Sequence, residues 1–281
     1  MSDMKKAESR GALWFLVPSL LGVAVFFVLP FFRSFGYAVT DVEGRFVGLS
    51  NFASLFQNAA FRLAAANTVK FMAVAIPLGI FIPLVLGVML FRLKGAAWLK
   101  TVFLSPLVIP AACAAFFFQT LFQSNGLVSS LLGSSRDWLQ TDASFAIAVG
   151  VYLWKNMGYN LVLILAGLAN IPKEYYECAS VEGMGEGRMF FQITLVYMIP
   201  TLFIVFVMSF INSFKVFREL YMLSGSYPHE KLYLLQHYMN NQFDKLDYQN
   251  LTAASFTMTA LIALLVIAFF RLDRKADLEE H

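Results

Sequence analysis

Long apolar runs with few charges recur along this chain, near residues 13–36, 66–90, 102–122, 144–167, 199–222 and 251–270. A helix needs about 20 predominantly apolar residues to cross a bilayer. In lipid, free backbone groups find no partner, so each run predicts a closed helix. Run length and the lack of period-two alternation argue against a membrane β-barrel. The pattern therefore predicts an all-α integral membrane protein of six spans. The run from Leu13 to Phe32 follows Lys5, Lys6 and Arg10. It exceeds the roughly 7–15 apolar residues of a secretory signal, and no small-x-small cleavage site follows, so it reads as a retained first helix.

Basic residues in short connections set orientation. Arg92, Lys94 and Lys100 occupy the 91–101 connection without an acid. With six spans they share a side with Lys5, Lys6 and Arg10, and with Arg271, Arg274 and Lys275. That side is expected to be cytoplasmic, with both termini and the 168–196 connection on it. Arg45, Arg62 and Lys231 lie in the outer connections, spread over longer segments. Pro77 and Pro83 in the second span, and Pro106 and Pro110 in the third, remove backbone donors and bend helices. They fit either ordinary kinks in a bundle or helices curved around a translocation path. No short repeat or linker divides the chain, which reads as a single domain over residues 1–281.

Composition fixes the solvent. Hydrophobic residues make up 59% of the chain and charged residues 14%, with a mean hydropathy of +0.66. Soluble domains carry about 25% charged residues. The net charge of +3 gives no reason to expect nucleic acid. Cys113 and Cys178 fall on different levels of the predicted map, so no disulfide or thiol metal framework is expected. His229, His237 and His281 have no metal-ligand spacing.

The 168–196 connection carries the most informative segment, Asn170 to Gly185. Pro172 suits a first helical turn, Glu174 suits the positive end of the helix dipole, and Gly183 suits a left-handed C-terminal cap. The spacing predicts a short helix from Pro172 to Glu182, with Tyr175, Cys178, Ala179 and Glu182 on one face. The small Cys178–Ala179 pair would admit a partner surface close to the backbone. A second short helix is expected from Glu186 to Gln192. The residues alone leave two readings, an interfacial connector or a docking element.

Glu177-Cys-Ala-Ser-Val-Glu-Gly183, followed by Ile193-Thr-Leu195, resembles the EAA loop of binding-protein-dependent ABC importer permeases. Trp154, the run Leu165-Ala-Gly-Leu-Ala-Asn-Ile-Pro172, Phe46-Val-Gly-Leu-Ser-Asn-Phe52, Asn67-Thr68 and Phe214-Lys-Val-Phe217 resemble the sugar-permease branch, of the maltose and glycerol-3-phosphate type. The resemblance departs at Cys178 (Ala in the pattern), at Val196 (Pro in the pattern) and at Ser224-Gly-Ser-Tyr-Pro228, where the family has a glycine-rich turn. It implies the six-helix fold of a type I importer, with Glu177, Cys178, Ala179, Ser180, Glu182 and Gly183 coupling to an ATPase. It also implies an assembly of two homologous permeases, two ABC ATPase subunits and an extracytoplasmic solute-binding protein in a bacterial or archaeal plasma (inner) membrane. The chain has no GxxxxGK[ST] phosphate loop. It is thus expected to be no enzyme itself and to bind no cofactor, with ATP and Mg on the partner ATPases, and transport by alternating access.

Polar groups within spans are costly and mark candidate sites. Tyr152, Asn156 and Tyr159 share one face of the fourth span, beside Lys155 and Asn160. Ser209, Asn212 and Ser213 share a face of the fifth, with Lys215 nearby. Two polar faces at one depth suit a sugar, whose hydroxyls need amides and hydroxyls and whose ring faces suit aromatics. In the resembled family the substrate site lies in these two helices. The same residues equally suit helix–helix hydrogen bonding. Lys155 needs an anion, a carbonyl or water, and could serve an acidic solute or pair with an acid on another subunit; Lys215, Arg218 and Glu219 allow the same two readings. Lys70 is expected to snorkel. Ser255, Thr257 and Thr259 are expected to bond their own helix, and the segment from Tyr227 to Asn250 reads as a gate, a binding-protein contact or a solvated loop.

Two other classes compete. An ion-coupled transporter or channel favours acids at span centres or paired interrupted helices, and the predicted centres hold no Asp or Glu. An intramembrane enzyme needs a nucleophile with its base or a metal cluster, and neither is visible.

Overall fold

A computed structural model describes residues 16–93 and 97–279. Lys5, Lys6, Arg10 and Lys94, on which part of the expected orientation rests, lie outside the described residues. Among those residues the regular elements are helices, joined by turns and loops, with one isolated bridge between Thr40 and Phe46. The helices are α1 (Leu16–Val39), α2 (Ser50–Gln57), α3 (Ala59–Arg92), α4 (Ala97–Val108), α5 (Ala111–Phe122), α6 (Leu127–Leu131), α7 (Ser144–Ala169), α8 (Lys173–Val181), α9 (Glu186–Ser224), α10 (Leu235–Asp244) and α11 (Tyr248–Glu279).

Four described helices, α1, α3, α9 and the Tyr248–Ile267 part of α11, are long and apolar enough to cross a membrane. The third expected span is a broken one. Trp98–Val108 and Ala111–Leu131 meet at 99°, so Pro110 ends one helix and begins another rather than kinking a continuous span. The fourth, α7, has 26 residues, about 39 Å at the helical rise, and is apolar at both ends with a polar middle. The fifth is longer than expected. Residues Glu186 to Ser224 form one 39-residue helix, so the separate short helix expected over Glu186–Gln192 is its first part. A π turn over Phe190–Thr194 lies within it, and such bulges absorb an extra residue without ending a helix.

The described residues fall into two compact units, one within 16–61 and 239–279 and the other within 62–238. In the first, α1 packs along α11, with Phe31 and Phe35 against Phe256 at ring distances of 4.9 and 5.0 Å. The Asn51 amide caps the end of α1 by donating to the Ala38 and Thr40 carbonyls. Ser255, Thr257 and Thr259 each donate to the carbonyl four residues back, as expected of hydroxyls in a membrane helix.

The second unit is built on α7, which packs against α4 and α9. Gly158 permits the first contact: a Cβ there would run into the Phe103 backbone. Ile164 and Leu168 of α7 join Leu84, Ile171, Met198 and Val205 in a buried cluster at the α8 end. Tyr152 and Val149 join Phe71, Leu220 and Leu232 in a larger cluster at the other end. The polar middle of α7 lies between these two apolar zones.

Candidate functional site

Helix α8 is bounded at both ends by its own sequence and capped at its C-terminal end. Pro172 precedes its first residue and Glu174 lies in its first turn. At the far end Gly183 adopts φ +77°, its N–H bonds the Ser180 carbonyl, and the Met184 N–H bonds the Ala179 carbonyl. That pair of bonds is the Schellman arrangement, which satisfies the last carbonyls and favours glycine at its left-handed position. Glu177, Cys178, Ser180, Glu182 and Gly183 are exposed, and Val181 is 89% exposed. Ala179 departs from the expected face. It is 5% exposed and faces the protein, one turn from Tyr176, which packs against the apolar cluster that includes Ile171. The exposed surface is thus carried by Glu177, Cys178, Val181 and Glu182. Two contacts tie α8 to α9: the Tyr176 and Thr194 hydroxyls lie 2.9 Å apart, and the Tyr175 and Tyr197 rings lie 4.9 Å apart.

The expected polar stripes divide into two groups. Tyr152, Ser209 and Ser213 are buried and bond within the protein. The Tyr152 hydroxyl donates to the Ser209 carbonyl at 2.9 Å, and the Ser213 hydroxyl donates to the Phe210 carbonyl. Asn160, named as a neighbour of the stripe, is its most connected member. Its fully buried amide donates to the Gly79 carbonyl at 2.7 Å and to the Ser209 hydroxyl at 2.9 Å, joining α3, α7 and α9. For Tyr152, Asn160 and Ser209 helix–helix bonding is the observed role, and Ser213 bonds within its own helix.

Lys155, Asn156, Asn212 and Lys215 line a cavity of about 460 Å³. Phe214, Phe217, Arg218, Glu219 and Gln236 complete most of its wall. Tyr159, expected on the same face as Tyr152 and Asn156, is half-buried and not among the lining residues. The Asn156 amide donates to the Tyr152 carbonyl four residues back. Lys155 donates to the Ile109 carbonyl at the break between α4 and α5, and its nitrogen lies 3.9 Å from the Glu219 carboxylate. The acid sought on another subunit is thus present on this chain. Gln236 is a lining residue that the sequence did not single out.

The segment from Tyr227 is ordered and partly buried rather than a solvated loop. The Asn67 amide donates to the Glu230 and Tyr233 carbonyls, and Thr68 accepts from the Leu235 N–H. His237 is fully buried among the Phe217, Tyr221 and Tyr233 rings. Its Nδ1 accepts from the Leu234 N–H, and burial pushes its pKa down to about 4. Among the described residues no cluster of His, Cys, Asp and Glu fits a metal ion.

Residues 75–277 match the family described as binding-protein-dependent transport system inner membrane component, a stretch that contains α7, α8, α9 and the cavity. Probable ABC transporter permease protein YurN of Bacillus subtilis is 29% identical over 266 residues, covering 89% of this chain and 91% of that protein. Trehalose/maltose transport system permease protein MalF of Thermococcus litoralis is 29% identical and covers 97% of both chains. The sn-glycerol-3-phosphate transport system permease protein UgpA of Yersinia pestis is 29% identical, covering 92% of this chain and 93% of that protein. The fold is also that of a chain in the crystal structure of a bacterial ABC transporter involved in import of the acidic polysaccharide alginate. The TM-score is 0.85 at 21% identity, covering 98% of this chain and 99% of that one. With its capped α8 exposed between two spans and the family match running through most of its length, the chain belongs to the binding-protein-dependent ABC importer permeases.

Proposed function

We propose that this chain is the permease subunit of an ATP-driven importer that moves a sugar or oligosaccharide by alternating access. In this reading α8 and its Gly183 end dock on a separate ATPase subunit, two of which serve the complex. A second homologous permease and an extracytoplasmic solute-binding protein complete it, in a bacterial or archaeal inner membrane with both termini cytoplasmic. The relatives named for trehalose/maltose and sn-glycerol-3-phosphate, and one named for arabinooligosaccharides, support the sugar class. A likeness to an alginate importer solved with its solute-loaded periplasmic protein supports the binding-protein partner.

The observation that carries the reading is the build of α8. It is a helix capped at its Gly183 end, with an exposed outer face, joined to span α9 through Tyr176 and Thr194. A push on α8 is thereby passed to the helix that lines the cavity. The solute is proposed to occupy that cavity, where Asn156 and Asn212 offer hydrogen bonds and Phe214 and Phe217 offer ring faces. Chemistry with nucleotide takes place on the partners, and this chain's residues bind, orient and move. The test is assembly: the chain is purified with its ATPase partners and solute-stimulated ATP hydrolysis is measured. Glu177→Lys or Gly183→Pro is expected to abolish stimulation or assembly. Full stimulation in both variants would refute the role given to α8.

A further inference from the structure

The charges around the cavity do not balance. Four charged side chains line it: Lys155, Lys215, Arg218 and Glu219. Glu219 is buried and lies 3.9 Å from the Lys155 nitrogen, so these two compensate each other. Lys155 is further engaged by the Ile109 carbonyl. Lys215 and Arg218 remain, and among the described residues neither has an ion-pair partner. They stand three residues apart on α9, a spacing that makes side chains neighbours on a helix. Both are exposed, so their charge is open to a solute, and like charges held near each other repel. A neutral solute would do nothing to relieve this. A carboxylate or phosphate seated between them would, with charge-assisted hydrogen bonds that are short and strong.

We infer that the cavity selects solutes bearing an anionic group, a carboxylate or a phosphate, held between Lys215 and Arg218. The inference rests on the reading of the chain as a sugar permease. The lining amides and rings take the hydroxyls and the ring face of such a solute, and the two cations take its charge. Glu219 keeps Lys155 in its structural role, so the anion is directed to the α9 pair.

The test uses the complete transporter, purified through this chain with its solute-binding protein and reconstituted in phosphatidylcholine liposomes, which present no anionic headgroup. Uptake of trigalacturonate, sn-glycerol 3-phosphate and maltotriose is measured at matched concentrations. Uptake of trigalacturonate or of glycerol 3-phosphate is expected to exceed that of maltotriose, the first marking a carboxylate and the second a phosphate as the bound group. Lys215→Gln with Arg218→Gln is expected to lower anion uptake about tenfold, the loss of one charge-assisted bond or more. Lys215→Arg with Arg218→Lys keeps the charge and is expected to retain uptake in an assembled complex. Carriage of neither anion by a complex that hydrolyses ATP overturns the inference, as does anion uptake that is indifferent to the double Gln variant. Failure of the chain to assemble with any ATPase overturns the permease reading instead.

Discussion

The ammonium of Lys155 donates to the main-chain carbonyl of Ile109, at the point where the third span turns through 99°. A carbonyl released from a helix inside a membrane has no water to turn to. A cation at a helix C-terminus also meets the negative end of the dipole. Lys155 thus stabilises the break, and Glu219, 3.9 Å away, balances its charge. Removing one member of such a partly buried pair strands the other charge. Lys155→Met is expected to lower the melting temperature of the purified transporter sharply. Lys155→Met with Glu219→Gln is expected to recover part of that loss. Equal melting of the single and double variants would contradict the pairing.

Asn160 joins three helices through two donated bonds. Interhelical hydrogen bonds in membranes contribute roughly 0.6–1.7 kcal/mol each. Asn160→Leu is expected to lower thermal stability by an amount of that order, and Ser209→Ala by less, since the Gly79 bond survives. Stability measured by heating in detergent checks the order of the two.

His237 sets a pH dependence. Its folded pKa lies near 4, below the usual value of about 6.5, so the unfolded chain binds a proton that the folded chain refuses. The stabilisation is present above about pH 6.5 and is lost as pH falls from there towards 4. Melting curves between these values should show a falling melting temperature for the parent chain. His237→Phe, placed among rings already there, should flatten that slope at a cost of about 1 kcal/mol for the lost Leu234 bond.

The Tyr176–Thr194 contact gives a functional prediction. Tyr176→Phe removes one hydroxyl from the link between α8 and α9 while leaving the exposed face of α8 intact. ATPase assembly is expected to persist, with solute uptake per ATP reduced. Unchanged coupling would show that force passes elsewhere.

Local signals were legible in the sequence and neighbours were not. Pro172, Glu174 and Gly183 predict the short helix to within a residue at each end, because capping depends on residues close in the chain. The sixth span's hydroxyls bond locally for the same reason. Helical spacing placed Tyr152 and Asn156 on one face, yet Tyr152 meets Ser209 while Asn156 meets the cavity, because the neighbouring helices determine what a face meets. Ala179 faces inward, on the side where Tyr176 packs against the cluster around Ile171. Pro110 announced a bend, but not that the span would break, nor that a lysine one span later would fill the gap.

The most direct test of the central claim uses Cys178, exposed on the outer face of α8. The only other cysteine is Cys113, so Cys113→Ser leaves a single thiol for a maleimide-linked photo-crosslinker. Illumination of the assembled complex in membranes should join this chain to an ABC ATPase subunit. Crosslinks to lipid or to the solute-binding protein, with none to an ATPase, would contradict the proposed coupling role of α8.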